Sequence, residues 1–257
     1  MRYAEFHPCE ALRPFVRCYW ELAGAAGPPE TILPDGRTEL VFQFGDVFLE
    51  NGSPQPRAMF VGQMSKSTTV HTTGRVGCFG VRFESAGIWA LFGNRQVDFA
   101  NRIVRASDVV GAAVERRLLG ASDTAERIAI VESMLLPRLP GRETVWCAAV
   151  SSVLSGTLSI AELRDGSGVG VRQFERLFET RVGLTPSVFA RLVRFRKALT
   201  SSGSWVDVAG DCEYYDQSHL IRDFNEFTGG PPSRLRPDPL MLSTLSHSSN
   251  TTVLESV

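Results

Sequence analysis

Ser159-Ile160-Ala161-Glu162, then Gly168-Val169-Gly170, then Val171-Arg172-Gln173-Phe174-Glu175-Arg176-Leu177-Phe178-Glu179-Thr180 is the stretch on which the reading of this chain turns. A serine followed three residues later by glutamate is a capping box, in which each side chain satisfies a backbone donor left open at a helix start. The two glycines make a turn between helices. In the helix that follows, Phe174, Leu177 and Phe178 fall at i, i+3 and i+4 and share one face. Arg172, Glu175, Arg176 and Glu179 are left along the opposite, exposed side. A short capped helix, a glycine turn and a second helix with a polar outer face predict a helix-turn-helix unit, whose second helix lies in a DNA major groove. Arginine there can bond bidentately to guanine, and glutamate can accept from cytosine N4.

The pattern recurs downstream. Thr185-Pro186 is an N-cap with proline at the first helical position, where its missing N–H costs nothing. The helix it opens runs to about Ser201, carries Phe189, Leu192, Val193 and Leu199 among Arg191, Arg194, Arg196 and Lys197, and spans roughly 20–25 Å. Ser204 caps a helix through Trp205, Val206, Val208 and Ala209, and a turn follows at Cys212-Glu213-Tyr214. Asp216 caps a last helix whose apolar stripe is Leu220, Phe224 and Phe227 and whose end is Gly229. Gln217, Ser218 and Arg222 occupy its outer face. Two such units in one chain predict readers for neighbouring major-groove segments about one helical turn apart. Beyond 236 the sequence turns to Pro, Ser, Thr and Asn, and 237–257 is expected to be a disordered tail without a role.

Toward the N-terminus the period changes. Thr38–Phe44 alternates, with Leu40, Phe42 and Phe44 on one face and Glu39, Val41 and Gln43 on the other; Cys78–Phe83 does the same through Phe79, Val81 and Phe83. Pro34-Asp35-Gly36 is a turn, with proline presetting φ and glycine taking a positive one. Ala58–Gly62 and Thr68–Thr72 are further strands, which predicts a sandwich or barrel. After Glu84 helices take over: one capped by Ser85 and closed by Gly93, one over Asp108–Leu119, and one starting at Asp123 with a capping box to Glu126 and the stripe Ile128, Val131, Leu135. Pro137 and Pro140-Gly141 then interrupt the chain. The expected architecture is α+β in two domains: a β-rich, barrel- or sandwich-like domain with following helices over 1–141, and an all-α domain with two helix-turn-helix units over 142–236.

Bulk properties limit the function. A chain of 257 residues can bury two modest cores. It has no apolar run of membrane-spanning length and no secretory signal at its start. Five scattered cysteines without a CxxC pair read as reduced thiols, so a cytoplasmic location is expected. The formal net charge is −1, unlike the basic footprint of most nucleic-acid binders. The distribution is uneven: from Ile160 to Thr200 eight cations face four anions, and from Ser201 to Arg236 three cations face six anions. The first unit should therefore supply most of the attraction to phosphate. His7, His71, His219 and His247 have no partners at metal-ligand spacing, and no nucleophile elbow, phosphate loop or dinucleotide fingerprint occurs. No enzyme, metal or cofactor is expected.

The same residues resemble the AraC/XylS family of bacterial transcription regulators. The resemblance is carried by Ser159-Ile160-Ala161-Glu162-Leu163, Arg172-Gln173-Phe174-Glu175-Arg176-Leu177-Phe178 and Val182-Gly183-Leu184-Thr185-Pro186. Further on, Tyr214-Tyr215-Asp216-Gln217-Ser218-His219-Leu220-Ile221-Arg222-Asp223-Phe224, Phe227-Thr228-Gly229 and Pro232-Ser233 carry it too, over about Thr157–Arg236. Leu33-Pro34-Asp35-Gly36, Phe60-Val61-Gly62-Gln63 and Gly80-Val81-Arg82-Phe83 resemble the β-rich sensor-type half of one branch of that family. The resemblance implies groove-facing roles for Arg172, Glu175, Arg176 and Glu179, and for Gln217, Ser218 and Arg222. It implies double-stranded DNA as partner, with RNA polymerase, a small-molecule effector of unknown chemistry and a second copy of the chain as candidates. The sequence departs from the family pattern at Arg164 and Ser167 in the first helix, at Gly170 where a hydroxyl cap is usual, and at Glu213 where glycine is usual. Glycine costs a cap only a few tenths of a kcal/mol, whereas a non-glycine at positive φ costs on the order of 1–2 kcal/mol.

Two other classes stay open at the level of sequence. One is a protein-interaction module whose helix-turn-helix surface no longer binds DNA, motivated by the weak net charge and by Glu175, Glu179 and Glu213. The other is an enzyme in the β-rich domain fused to a DNA reader.

Overall fold

The computed structural model describes residues 1–141 and 143–232. Ten strands form two antiparallel sheets in the N-terminal half. They are β1 (Arg2–Phe6), β2 (Val16–Ala25), β3 (Glu30–Ile32), β4 (Thr38–Gln43), β5 (Leu49–Glu50), β6 (Ser53–Pro54), β7 (Ala58–Val61), β8 (Thr68–His71), β9 (Arg75–Phe83) and β10 (Ile103–Arg105). The larger sheet has the order β1-β2-β9-β4-β7-β10 and the smaller β3-β8-β5-β6.

The alternation read in the sequence is present, but both faces of the large sheet are covered. Leu40, Phe42, Phe60, Phe79, Val81 and Phe83 point into the main core. On the other face Val41 and Gln43 are also buried, and Cys78 packs with Phe48 and Val76 against Trp20, Leu22 and Val70. Buried Gln43 is satisfied, donating to Gln55 Oε1 (3.0 Å) and accepting from the Phe48 N–H (3.1 Å). Gly80 pairs across the sheet with Trp20, whose indole occupies the space a Cβ would need, only 2.0 Å away. That contact explains the glycine in Gly80-Val81-Arg82-Phe83.

Ten helices follow: α1 (Gly87–Phe92), α2 (Ser107–Val110), α3 (Ala112–Gly120), α4 (Thr124–Leu135), α5 (Glu143–Leu154), α6 (Ile160–Gly166), α7 (Val171–Val182), α8 (Pro186–Thr200), α9 (Trp205–Asp211) and α10 (Gln217–Thr228). The helix expected over Asp108–Leu119 is two, because Gly111 at φ +86° breaks it between α2 and α3. Ser85 does not cap α1: its hydroxyl donates to the Gly36 carbonyl at 2.6 Å. Asp123 does cap α4, but Glu126 reaches Ser122 rather than closing the box. The stripe of α4 meets its own sheet: Glu132 accepts from the Cys9 N–H (2.9 Å) and the Tyr19 hydroxyl (3.3 Å), and the Arg127 guanidinium lies 3.8 Å over the Phe44 ring. Helix α5 has no counterpart in the sequence reading. It buries Cys147, Val150, Val153 and Leu154 against α1, α6 and α8.

One hydrophobic cluster runs from Tyr19 and Phe79 in the sheet through α5 to Phe224 and Phe227 in α10. Gly36, at φ +81° in the predicted turn, is where the two halves meet most tightly: a Cβ there would lie 2.7 Å from Leu154 Cδ1 and 3.5 Å from Phe189. Beside it Arg37 pairs with Glu84 at 3.5 Å, and Ser151 of α5 donates to the same carboxylate at 3.3 Å.

Candidate nucleic-acid interface

The local sequence builds two similar units on the ends of α8. In the first, the Ser159–Glu162 capping box opens α6, and Gly168 at φ +70° turns the chain into α7. Gly170 caps α7 with extended backbone and no side-chain bond, so one donor at that helix start lacks the usual hydroxyl partner. Phe174, Phe178 and Val182 are buried, with Trp146 of α5 meeting Phe174 and Phe178 edge-on at 6.2 and 6.3 Å. In the second unit Ser204 caps α9 and Asp216 caps α10, each accepting from the N–H three residues on. Phe195 of α8 holds α10 through Phe224 (4.9 Å) and Phe227 (5.1 Å).

Every residue assigned to the groove by sequence pattern lies away from these cores. Arg172, Glu175 and Arg176 are exposed and Glu179 is half-buried on α7; Gln217, Ser218 and Arg222 are exposed on α10. Tyr215, just ahead of the Asp216 cap, is 93% exposed, and sequence reasoning passed over it because it belongs to no helical stripe.

Several cations between Ile160 and Thr200 have partners within the protein, some of them at its surface. Arg164 pairs with Asp165 at 2.8 Å. Arg181 is held between Trp89 of α1 and Trp146 of α5, at 4.5 and 4.6 Å from the ring centroids. Arg191 binds Asp223 at 2.7 Å and also Glu226, which ties α8 to α10. Arg196 is half-buried, donates to the Leu154 carbonyl at 3.4 Å, and has its pKa pushed down to about 10 by desolvation and then by the charge of Arg37. Lys197 donates to the Asp211 carbonyl. Arg172 and Arg176 are the fully exposed arginines of that stretch. The Asp223 carboxylate of the second half is paired with Arg191 inside the fold.

The N-terminal half offers an open cleft of about 420 Å³ lined by Ala23, Gly24, Phe44, Gly45, Arg75, Val76 and Gly77. Among the described residues no group of three or more His, Cys, Asp or Glu could hold a metal, and no helix is long and apolar enough to cross a membrane.

Comparison with known proteins agrees with this geometry at the level of domains. Residues 165–238 match the family described as a helix-turn-helix domain, and residues 4–105 match one described as a domain of unknown function, DUF6597. No curated protein matches the chain. Among solved structures, ToxT from Vibrio cholerae aligns at 9% identity over 84% of this chain and 96% of that one, with a TM-score of 0.42. A ToxT structure from Vibrio cholerae O395 aligns at 9% identity over 90% of this chain and 99% of that one, TM-score 0.44. Another, bound to (E)-4-(8-methylnaphthalen-1-yl)but-3-enoic acid, aligns at 8% identity over 89% and 99%, TM-score 0.43.

Proposed function

We propose, from the premise that residues 165–238 are a helix-turn-helix domain of the AraC type, that this chain is a sequence-specific transcription regulator reading two adjacent major-groove segments. Helix α7 reads one through Arg172, Glu175, Arg176 and Glu179, and α10 reads the other through Gln217, Ser218 and Arg222. The observation that carries the reading is the pair of capped helices at the two ends of α8, each with a buried aromatic stripe and a polar face turned outward. Those faces hold the groups that can bond bidentately to base edges.

The division of labour follows: 1–141 senses a signal or dimerises, 142–236 reads DNA, and the tail 237–257 lies outside the described residues. A second copy of the chain and RNA polymerase are the protein partners this role needs, and a cytoplasmic location belongs to the same proposal. We assign it no catalytic role.

A footprint of the purified chain on DNA upstream of its own gene, at two salt concentrations, tests the proposal. Protection over two adjacent major-groove turns, weaker at high salt and lost in Arg176→Ala, is the expected result. The engagement of α8 cations inside the fold favours one competing reading, a protein-interaction surface without DNA affinity. Absence of protection at either salt concentration, with a protein partner recovered by pull-down, would establish that instead.

A further inference from the structure

The loop joining β7 to β8, Gly62-Gln63-Met64-Ser65-Lys66-Ser67, reaches both reader units at once. At its start Gln63 donates from Nε2 to the Gly36 carbonyl at 2.8 Å, and its side chain lies against Gly183 at the end of α7. Gly183 has φ +98°, and a Cβ there would stand 3.1 Å from the Gln96 carbonyl and 3.3 Å from Gln63 Cβ. At its far end the Ser67 N–H donates to the carbonyl of Phe227 in the last turn of α10, at 2.8 Å. Carbonyls in a final helical turn have no acceptor role inside the helix, so Ser67 supplies a partner that α10 cannot supply for itself. The Glu226 carboxyl on the same turn is held below the usual carboxylate range by its bond from Arg191 and, to a smaller extent, by the charge of Lys66.

The loop is itself braced. Ser65 donates from its N–H (2.8 Å) and its hydroxyl (3.0 Å) to Asn101 Oδ1. The Asn101 N–H donates back to the Gln63 carbonyl at 2.8 Å, and the Gly62 N–H to the Arg102 carbonyl at 3.0 Å. Gly62 packs so closely that a Cβ would fall 2.0 Å from the Phe99 carbonyl oxygen. An independent contact fixes α7 to the same half, through Arg181 between Trp89 and Trp146. The connection from α8 to α9 runs through Gly203 at φ +120°, and α8 holds the second unit through Lys197 on the Asp211 carbonyl, Arg191 on Asp223 and Glu226, and the Phe195 contacts.

We propose that this loop is a strut by which the N-terminal domain sets the separation of α7 and α10, and hence the spacing between the two DNA segments the chain accepts. Gln63, Lys66 and Ser67 are then positioning residues for DNA reading although none of them touches DNA. The inference rests on the reading of both helices as DNA readers. A reader pair held at two points cannot follow a change in spacing, because each added base pair moves the second segment by about 3.4 Å and rotates it around the axis.

The test uses the full chain and the duplex it selects from a random-sequence pool, with one or two base pairs inserted between the two half-sites. The ratio of affinities between spacings is measured, not the affinity alone. The wild type is expected to lose at least tenfold on a one-base-pair insertion. Ser67→Pro removes the donor N–H, and Lys66→Glu sets like charge against Glu226 without altering the backbone; each is expected to reduce that ratio below about threefold. Lys66→Glu decides the matter if Ser67→Pro does not fold. A wild type indifferent to spacing, or variants that keep its full preference, would overturn the strut while leaving DNA reading intact. Failure of the wild type to select any duplex would instead remove the DNA-reading proposal, and the strut with it.

Discussion

Glu213 stands at φ +60° in the turn between α9 and α10, one of three non-glycine residues at positive φ among those described. A Cβ in that region crowds the following carbonyl, at a cost on the order of 1–2 kcal/mol. Its side chain is exposed, so nothing in the fold depends on the carboxylate. Glu213→Gly relieves the strain but gives the unfolded chain more freedom, which offsets part of the gain. The expected net effect is about 1 kcal/mol of added stability, or roughly 2–4 °C in the unfolding midpoint; a midpoint unchanged or lowered in a thermal scan would contradict it. Arginines divide at this scale by what they touch. Arg176→Ala and Arg222→Ala should each cost about tenfold in affinity for the specific duplex, within the ~1–3 kcal/mol of one base contact, and leave circular dichroism unchanged. Arg191→Ala should instead lower the unfolding temperature, because it leaves Asp223, 1% exposed, without its cation.

Among the elements, α8 shows why part of the site was unreadable from sequence. The caps at Ser159, Thr185, Ser204 and Asp216 were legible because each is a local exchange of one side chain for one backbone donor three residues away. The exposed faces of α7 and α10 were legible because their aromatic stripes are strongly one-sided. The fate of the α8 cations depends on Glu226, Leu154 and the Asp35–Arg37 turn, groups distant in sequence, so no periodicity could show it. Helix α5 was missed for a related reason: Val145, Trp146, Ala148, Ala149, Val150 and Val153 lie around it on several sides, and an all-round apolar helix gives no stripe to read. In the β-rich half, β2 gave no alternation to read, because Cys18 and Tyr19 are both buried and the residues immediately after them are half-buried on both faces. The α8–α10 clamp carries its own prediction. Arg191 holds the Glu226 carboxyl below its ordinary pKa of 4.5. A depressed carboxylate contributes fully above that value, and the contribution is lost as pH falls through the folded pKa. Urea midpoints measured from about pH 5 down to pH 3 should fall less steeply in Glu226→Gln than in the wild type; identical slopes would mean the pair contributes nothing.

At the scale of the whole molecule, the two halves share a core, and that sets how the protein should unfold. The cluster that begins at Leu12 and Tyr19 is continuous with Leu154, Phe189 and Phe227, so neither half can open without exposing apolar surface of the other. Gly36 sits at the seam and is required twice over, by φ +81° and by Leu154 Cδ1 standing 2.7 Å from where a Cβ would be. Gly36→Ala should therefore destabilise by about 2–4 kcal/mol, from positive φ and from overpacking together. The consequence distinguishes a shared core from two beads on a string. Trp20 lies in β2 and Trp205 in α9, so variants retaining one or the other report on opposite ends of the molecule. In a shared core both reporters should melt in one transition, and Gly36→Ala should lower both midpoints together by roughly 5–15 °C. If the Trp20 signal moved while the Trp205 signal stayed, the halves would be energetically separate. A strain set up in the β-rich domain could then reach α7 and α10 only through individual contacts, such as those of Gln63, Ser67 and Arg181.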